Sequence, residues 1–131
     1  MLLARLILVL QLLALAGLGL AYFIQPHEMT HLSGMLLMAP AAVTDVRAYY
    51  GGLQLGLAAY LGLALMRPAL IAPALTLLVL LYSVLALARI GGLYLDGGAQ
   101  QTFNLYALLL EVVSAGLCFW ALRGLNAPGT R

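Results

Sequence analysis

The segment LGLALMRPALIA, residues 61–72, interrupts a long apolar run with Arg67-Pro68 and then resumes it at once. Proline fits the first turn of a new helix, because its missing N–H is not needed there. A connection this short places two successive helices side by side and in opposite directions. The segment therefore predicts a helical hairpin, and the rest of the chain extends it into a bundle.

The apolar character continues over the whole sequence. Of its 131 residues, 65% are hydrophobic and 8% are charged, whereas an ordinary globular domain is about 25% charged. Four apolar blocks each approach the roughly 20 residues that cross a hydrocarbon core of about 30 Å. This predicts an all-α membrane protein, a single transmembrane domain over residues 1–131 folded as an antiparallel four-helix transmembrane bundle. Its helices are expected at about residues 6–24, 44–66, 69–90 and 103–122, with an outer loop at 25–43.

The first apolar block resembles a secretory signal peptide in two respects. Arg5 precedes the apolar run, and Ala14-Leu15-Ala16 imitates a cleavage site. The run nevertheless continues to Ile24, well beyond a usual signal core. We therefore expect an uncleaved first helix.

The basic residues predict how the bundle is oriented. All six are arginines, and the loops at residues 25–43 and 91–101 contain none of them. Arginine and lysine concentrate in cytoplasmic loops. We therefore expect the inner (plasma) membrane, with both termini in the cytoplasm, because four arginines fall on one side: Arg5, Arg67, Arg123 and Arg131.

Four charged residues fall within the bounds of the predicted helices. Asp45 is only the second residue of its helix, and the three placed further inside are Arg47, Arg89 and Glu111. A charge inside a span costs about 2.5 to 3.5 kcal/mol on insertion scales, so it usually faces a partner, a cavity or water. Several polar residues lie seven positions from one of these charges, a spacing that places both on one helix face. The predicted polar cluster comprises Gln11, Arg47, Gln54, Tyr82, Arg89, Asn104 and Glu111, with Asp45 and Asp96 at its mouth.

Two interpretations of this cluster stay open. In the first, the polar residues hold helices together, with about 0.6 kcal/mol for each interhelical hydrogen bond. In the second, they line an outward-opening pocket for an amphiphile, a quinone or an anionic group held by Arg47 and Arg89. A closed and fully paired cluster would weigh against the second interpretation.

Helix two also carries a G-x-x-x-G pattern at Gly52 and Gly56. Small residues at this spacing favour the close approach of two helices within a membrane. We expect this pair to pack against a neighbouring helix of the same bundle, and a homodimer face is the alternative.

The first loop spells H-E-x-x-H in "PHEMTHLSG", residues 26–34. On a helical turn, His27 and His31 would share a face, and Glu28 would act as the general base of a zinc hydrolase. Such a site also needs a third protein ligand and an open position for water, and the sequence offers no further histidine. We expect a short interfacial helix with solvated histidines, and metal binding is the alternative.

The segments "DVRAYYGGLQLGLAAYLGL" from Asp45, "LARIGGLYLDGG" from Leu87 and "LYALLLEVVSAGL" from Leu105 resemble a bacterial four-span membrane family, domain of unknown function 4345. The resemblance implies a four-helix membrane fold, loosely similar to the DoxX-like proteins, with no established activity. It implies a proline in the first loop, as at Pro26, and no required H-E-x-x-H. The polar family positions correspond here to Arg47, Arg89, Asp96 and Glu111.

These observations lead to one expected function and two alternatives. We expect a non-catalytic scaffold or accessory subunit of the inner membrane. A small-molecule binding or transport protein is the first alternative, and a zinc metalloprotease is the second. The expected partners are the lipid bilayer, a protein partner or a second copy of the chain, and an amphiphilic small molecule, with no nucleic acid and no cofactor.

Overall fold

The computed structural model describes residues 1–97 and 101–128, and Gly98 and Arg131 lie outside them. Every element of regular secondary structure within these two ranges is a helix. In chain order these are α1 (Leu2–Ile24), α2 (Pro26–His31), α3 (Pro40–Val46), a π-helical segment (Arg47–Gly52), α4 (Leu53–Met66), a 3₁₀ turn (Pro68–Leu70), α5 (Ile71–Leu95) and α6 (Thr102–Asn126).

The second long helix begins four residues earlier than predicted, at Pro40, and runs to Met66 through the π-helical segment. Pro40 occupies the first turn after an extended Ala39, which is the position where proline is tolerated best. The backbone is helical at the start of the segment (Arg47, φ −57°, ψ −39°) and after its end (Leu53, φ −61°, ψ −45°). Arg47 therefore lies about two turns into this helix, where the sequence predicted one.

The third long helix ends later than predicted, at Leu95 instead of residue 90. Gly91 and Gly92 lie in the loop predicted at residues 91–101, but the structure shows both as helical. Gly97 follows the C-cap residue Asp96 and terminates the helix. Its φ of +80° is the left-handed conformation that is common directly after a helix C-cap. The Asp96 amide donates to the carbonyl of Gly92 at 2.8 Å and closes the last turn. Arg89 is consequently almost two turns from the helix end.

The core lies where α1, α4, α5 and α6 meet, and α1 packs most extensively on α4 as α5 does on α6. The turn at Arg67-Pro68 is confirmed: α4 ends at Met66 and a 3₁₀ turn leads directly into α5. Cys118 is buried in this core, as a small packing residue would be. The largest fully buried side chains there are Leu8, Leu61, Ile71, Leu75 and Leu78.

Glycines bring α1 and the second long helix into backbone contact, but not at the predicted pair. A Cβ atom on Gly19 would lie 3.0 Å from the carbonyl oxygen of Gly51, and one on Gly51 would lie 3.1 Å from that of Gly19. A Cβ on Gly56 would meet nothing within 4 Å, and one on Gly52 would meet only the carbonyl of its own helix at Arg47. The prediction that Gly52 and Gly56 pack inside the bundle is therefore wrong, because they face away from α1.

Contacts between these two helices also show their relative direction. Near the start of α1, Arg5 Nη1 donates to the carbonyl of Leu65 at 3.0 Å, close to the end of α4. Near the end of α1, Gly19 lies against Gly51. Residue numbers rise along one helix as they fall along the other, so this pair runs antiparallel.

Three of the described helical stretches are long and apolar enough to cross a membrane: Leu2–Ile24, Pro68–Leu95 and Thr102–Asn126. The side chains at their outer surfaces are predominantly apolar, among them Leu13, Leu80 and Leu110. The chain therefore has the character of a membrane protein, as its composition predicted.

Candidate functional site

A partly buried ion pair between α5 and α6 is the centre of the polar cluster. Arg89 Nε donates to both carboxylate oxygens of Glu111, at 3.1 and 2.9 Å, and Nη2 donates to Oε1 at 2.5 Å. The Glu111 side chain is 9% exposed and the Arg89 side chain is 25% exposed. This is the one ion pair within residues 1–97 and 101–128. Such two-pronged pairing of guanidinium with carboxylate is among the stronger hydrogen-bond arrangements in proteins.

The pair continues as a chain of hydrogen bonds toward the end of α5. Arg89 Nη1 donates to Asn104 Oδ1 at 2.6 Å, and Asn104 Nδ2 donates to Gln101 Oε1 at 2.6 Å. Gln101 Nε2 in turn donates to the carbonyl of Asp96 at 3.4 Å. These groups line an open groove of about 310 Å³, together with Leu85, Ala88, Gly92 and Leu93. The predicted neighbourhood of Arg89, Asn104, Asp96 and Glu111 is therefore present.

Gln11 and Tyr82 form a second polar contact. The Tyr82 hydroxyl donates to Gln11 Oε1 at 2.5 Å, and Gln11 Nε2 donates to Ser114 Oγ at 3.2 Å. Gln11 is 4% exposed, and its amide joins α1 to α5 and α6 at once. Interhelical hydrogen bonds of this kind stabilise a bundle modestly and impose register.

The sequence predicted that Arg47 and Gln54 would lie in one cluster with Glu111. The structure places both side chains elsewhere. Arg47 Nη1 donates to the carbonyl of Phe23 at 2.5 Å, and its guanidinium lies over the Phe23 ring at 5.6 Å from the centroid. Gln54 Nε2 donates to the carbonyl of Tyr50 within its own helix. Arg47 is held at the end of α1 because the last carbonyls of a helix lack intrahelical donors and attract a cation.

Asp45 is also placed away from the cluster, since it is exposed on α3 and lines neither of the two grooves. The sequence expected it at the mouth beside Asp96. Asp45 lies ahead of the π-helical segment, whereas Asp96 follows the helix that carries Arg89. Of the two aspartates, only Asp96 therefore shares a groove with Arg89.

The H-E-x-x-H segment forms α2, a helix of six residues, as expected of a short loop helix. His27, Glu28 and His31 are exposed, whereas Thr30 is buried and donates from Oγ1 to the carbonyl of Pro26 at 2.7 Å. Within the part of the chain that the structure describes, no group of three His, Cys, Asp or Glu side chains is placed to hold a metal ion. A zincin site would need a third ligand of this kind.

A comparison with protein families gives one match. The model of the family described as Domain of unknown function (DUF4345) matches residues 3–122. The chain belongs to this family. No curated protein and no solved structure matches the chain. The matched range of this DUF4345 chain covers most of each of the four long helices and every residue of the polar cluster described above.

Three polar contacts of the DUF4345 chain were missed at the level of sequence. Gln101 precedes Asn104 by three residues, and Ser114 follows Glu111 by three, so both lie on the polar face of α6. That spacing could have added them to the predicted stripe. The contact between Arg5 and the Leu65 carbonyl had no comparable signal, because any residue type offers a carbonyl.

The polar cluster of the DUF4345 chain is a set of satisfied hydrogen bonds. In the described ranges, no buried side-chain nitrogen or oxygen atom lacks a hydrogen-bond partner. Arg89 nevertheless uses only three of its five N–H groups in the contacts above, since the Nε hydrogen is shared between both carboxylate oxygens. The arrangement can hold two helices together, and its open edge presents two further donors to the groove.

Proposed function

We propose that this DUF4345 chain is a four-span integral protein of the inner membrane that acts as a non-catalytic scaffold or accessory subunit. The observation that carries the proposal is the internal pairing of Arg89 with Glu111. Because each charge of this pair is compensated by the other, the pair can stabilise a specific helix packing without a bound substrate. The outer surfaces of the helices are apolar and suit lipid or the spans of a partner.

The helix from Pro40 to Met66 is the fourth span in this proposal. At 1.5 Å per residue it is about 40 Å long, which exceeds the hydrocarbon thickness of about 30 Å. Its π-helical segment keeps the backbone hydrogen-bonded within the helix, as a lipid environment requires. Together with the three long apolar helices it completes an antiparallel four-helix transmembrane bundle.

The arginines support a cytoplasmic placement of one end of this bundle. Arg5 reaches the Leu65 carbonyl, beside Arg67 at the turn between α4 and α5. Arg123 lies in the last turn of α6. The loop between α1 and α3 carries no arginine or lysine. The positive-inside bias therefore favours termini in the cytoplasm and α2 on the outer side.

This topology predicts opposite labelling of two engineered cysteines, Ser33→Cys and Gly124→Cys, in a Cys118→Ala background. Both positions are exposed, and three proposed spans separate them. In intact cells a membrane-impermeant maleimide should label the cysteine at position 33, and the one at 124 should react only after lysis. The Cys118→Ala protein without an added cysteine is the control. Labelling of both positions from the same side, or the inverse pattern, would contradict the topology.

An accessory role predicts a second polypeptide in a fixed molar ratio. The tagged chain should be expressed at its native level, extracted in a mild non-ionic detergent and analysed by native mass spectrometry. We expect a complex of constant stoichiometry over several detergent concentrations. An unrelated four-span protein with the same tag serves as the control for lipid-mediated carry-over. Recovery of the chain alone, or only with proteins that the control also retains, would count against the scaffold role.

The small-molecule alternative has weaker support at Glu111. It required Arg47 and Arg89 to hold one ligand together, but the two side chains line different grooves that share no residue. Arg89 is also already compensated by Glu111. A ligand site is better sought where an arginine has no acidic partner.

A further inference from the structure

A groove beside α2 combines apolar and cationic surface. It has a volume of about 500 Å³, is open at the surface of the protein and lies between α2, the loop that follows α2 and the start of the second long helix. Apolar side chains form most of its wall, and three polar side chains interrupt them. The lining residues are His27, Leu37, Met38, Ala39, Pro40, Val43, Thr44 and Arg47.

The charge of Arg47 is not compensated in this groove. None of the lining residues is acidic, and the one ion pair within the described ranges is that of Arg89 with Glu111. Asp45 is nearby in sequence, but residues two apart on a helix do not face each other. The groove therefore carries a formal positive charge without a carboxylate of the chain to meet it.

The hydrogen bonds of Arg47 leave most of its donors available. Nη1 donates to the Phe23 carbonyl, and the other four N–H groups of the guanidinium make no hydrogen bond within residues 1–97 and 101–128. Phe23 fixes the side chain from two directions, through its carbonyl and through its ring. An arginine held in place in this way loses little further freedom when it binds an anion, which favours affinity.

The backbone adds an independent indication at this position. The π-helical segment begins at Arg47, and π-helical turns inside α-helices occur frequently at functional sites. Thr44 lies three residues earlier, so its hydroxyl shares a helix face with Arg47. The side chains of Leu37, Met38 and Val43 extend the same groove with apolar surface.

We propose that this groove binds the anionic headgroup of an amphiphile, with its phosphate or carboxylate on Arg47, its polar part near Thr44 and His27, and its acyl chain along Leu37, Met38 and Val43. Arginine suits this anion because its planar fork of donors matches phosphate and carboxylate oxygens. The apolar wall favours a lipid over a free anion, because a small soluble ion would leave that wall in water. The site is separate from the Arg89–Glu111 pair and does not depend on the scaffold role.

The test uses the full chain in a neutral detergent and three probes: lysophosphatidylglycerol, lysophosphatidylcholine of the same acyl chain, and inorganic phosphate. Binding is measured as a saturable rise in melting temperature. We expect lysophosphatidylglycerol to bind at least about fivefold more tightly than lysophosphatidylcholine. This is the effect expected of one basic side chain near an anionic headgroup. Arg47→Gln should abolish this preference. Arg67→Gln removes the same charge at the far end of the second long helix and should preserve the preference.

A second variant guards against a folding defect, because Arg47 also holds the end of α1. Leu37→Glu adds a negative charge to the groove from a loop residue and leaves the Phe23 contact in place. Leu37→Glu should weaken the binding of lysophosphatidylglycerol. Without added lipid, its melting temperature should equal that of the wild type. Equal binding of the two lipids, unchanged binding in Leu37→Glu, or inorganic phosphate that binds as tightly as the lipid would each overturn the proposal.

Discussion

Replacing Glu111 with alanine is expected to lower the free energy of unfolding by about 1.5 to 3 kcal/mol, because it removes charge-assisted hydrogen bonds and leaves the partly buried charge of Arg89 uncompensated. In Glu111→Ala, Arg89 would keep only its bond to Asn104. A guanidinium stays charged at any ordinary pH and cannot escape the penalty by losing a proton. The measurement is an unfolding titration with sodium dodecyl sulfate in mixed micelles, followed by far-ultraviolet circular dichroism.

Two further variants separate the pair from its surroundings. Arg89→Met should also destabilise the protein, because it leaves the Glu111 carboxylate between α5 and α6 without its cationic partner. The double variant Arg89→Met/Glu111→Leu should recover much of the loss, since apolar replacement of a buried pair is often close to neutral. Two results would contradict the claim that the ion pair mainly stabilises the packing of α5 on α6. One is a double variant less stable than either single variant, and the other is a Glu111→Ala protein as stable as wild type.

The double variant also bears on function. If the ion pair only holds α5 against α6, a protein that folds without it should keep its position in the membrane and its partner. If the open edge of Arg89 binds a ligand, the same protein should fold and yet lose that ligand. Stability and binding therefore respond differently to one substitution set, and the two interpretations of the cluster can be told apart.

The sequence predicted the α5–α6 half of the cluster because its geometry is local. Asn104 and Glu111 are seven residues apart on one helix, and a short connection returns the chain beside Arg89. A charge in an apolar span needs a partner, and Glu111 was the one acid placed deep inside a predicted span, since Asp45 was only the second residue of its helix. Composition, helical spacing and the cost of burial were together sufficient to place Arg89, Asn104 and Glu111 in one cluster, but not to choose Arg89 over Arg47 as the partner of Glu111.

The position of Arg47 could not be predicted in the same way. Its partner is the backbone carbonyl of Phe23. Every residue has a backbone carbonyl, so the sequence does not indicate which one binds an arginine. The π-helical segment from Arg47 to Gly52 also changes the angular relation between residues before and after it. In a regular α-helix, a spacing of seven residues places Arg47 and Gln54 on one face, and the sequence analysis directed that face toward Glu111. The structure does not place them there.

The glycines show a similar limit. The sequence identifies small residues that permit close approach, but the neighbouring helix decides which of them is used. Gly51 and Gly52 are adjacent and chemically identical, yet only Gly51 meets α1. Gly91 and Gly92 likewise remain helical, because no packing or turn requires them to end the helix before Gly97.

The contact at Gly19 leads to the second large effect that we expect. Gly19→Val should destabilise the protein by about 1 to 3 kcal/mol, the usual cost of forcing extra atoms into a packed contact. A Cβ at this position would lie 2.9 Å from Leu55 Cγ, 3.0 Å from the Gly51 carbonyl oxygen and 3.1 Å from the Leu55 amide nitrogen. Two of these three atoms belong to the backbone, so a side-chain rotation cannot relieve the overlap. The same detergent titration measures the loss.

Gly17→Val is the matched control, because it adds the same β-branched side chain to the same helix where a Cβ meets nothing within 4 Å. Gly56→Val is the corresponding control for Gly51→Val on the partner helix. Equal effects at Gly17 and Gly19 would mean that helix propensity, and not the close approach, accounts for the loss. Gly19 and Gly51 share one contact, so Gly19→Ala and Gly51→Ala should together cost less than the sum of their separate effects. Once the first methyl group has separated the helices, the second meets a gap that already exists.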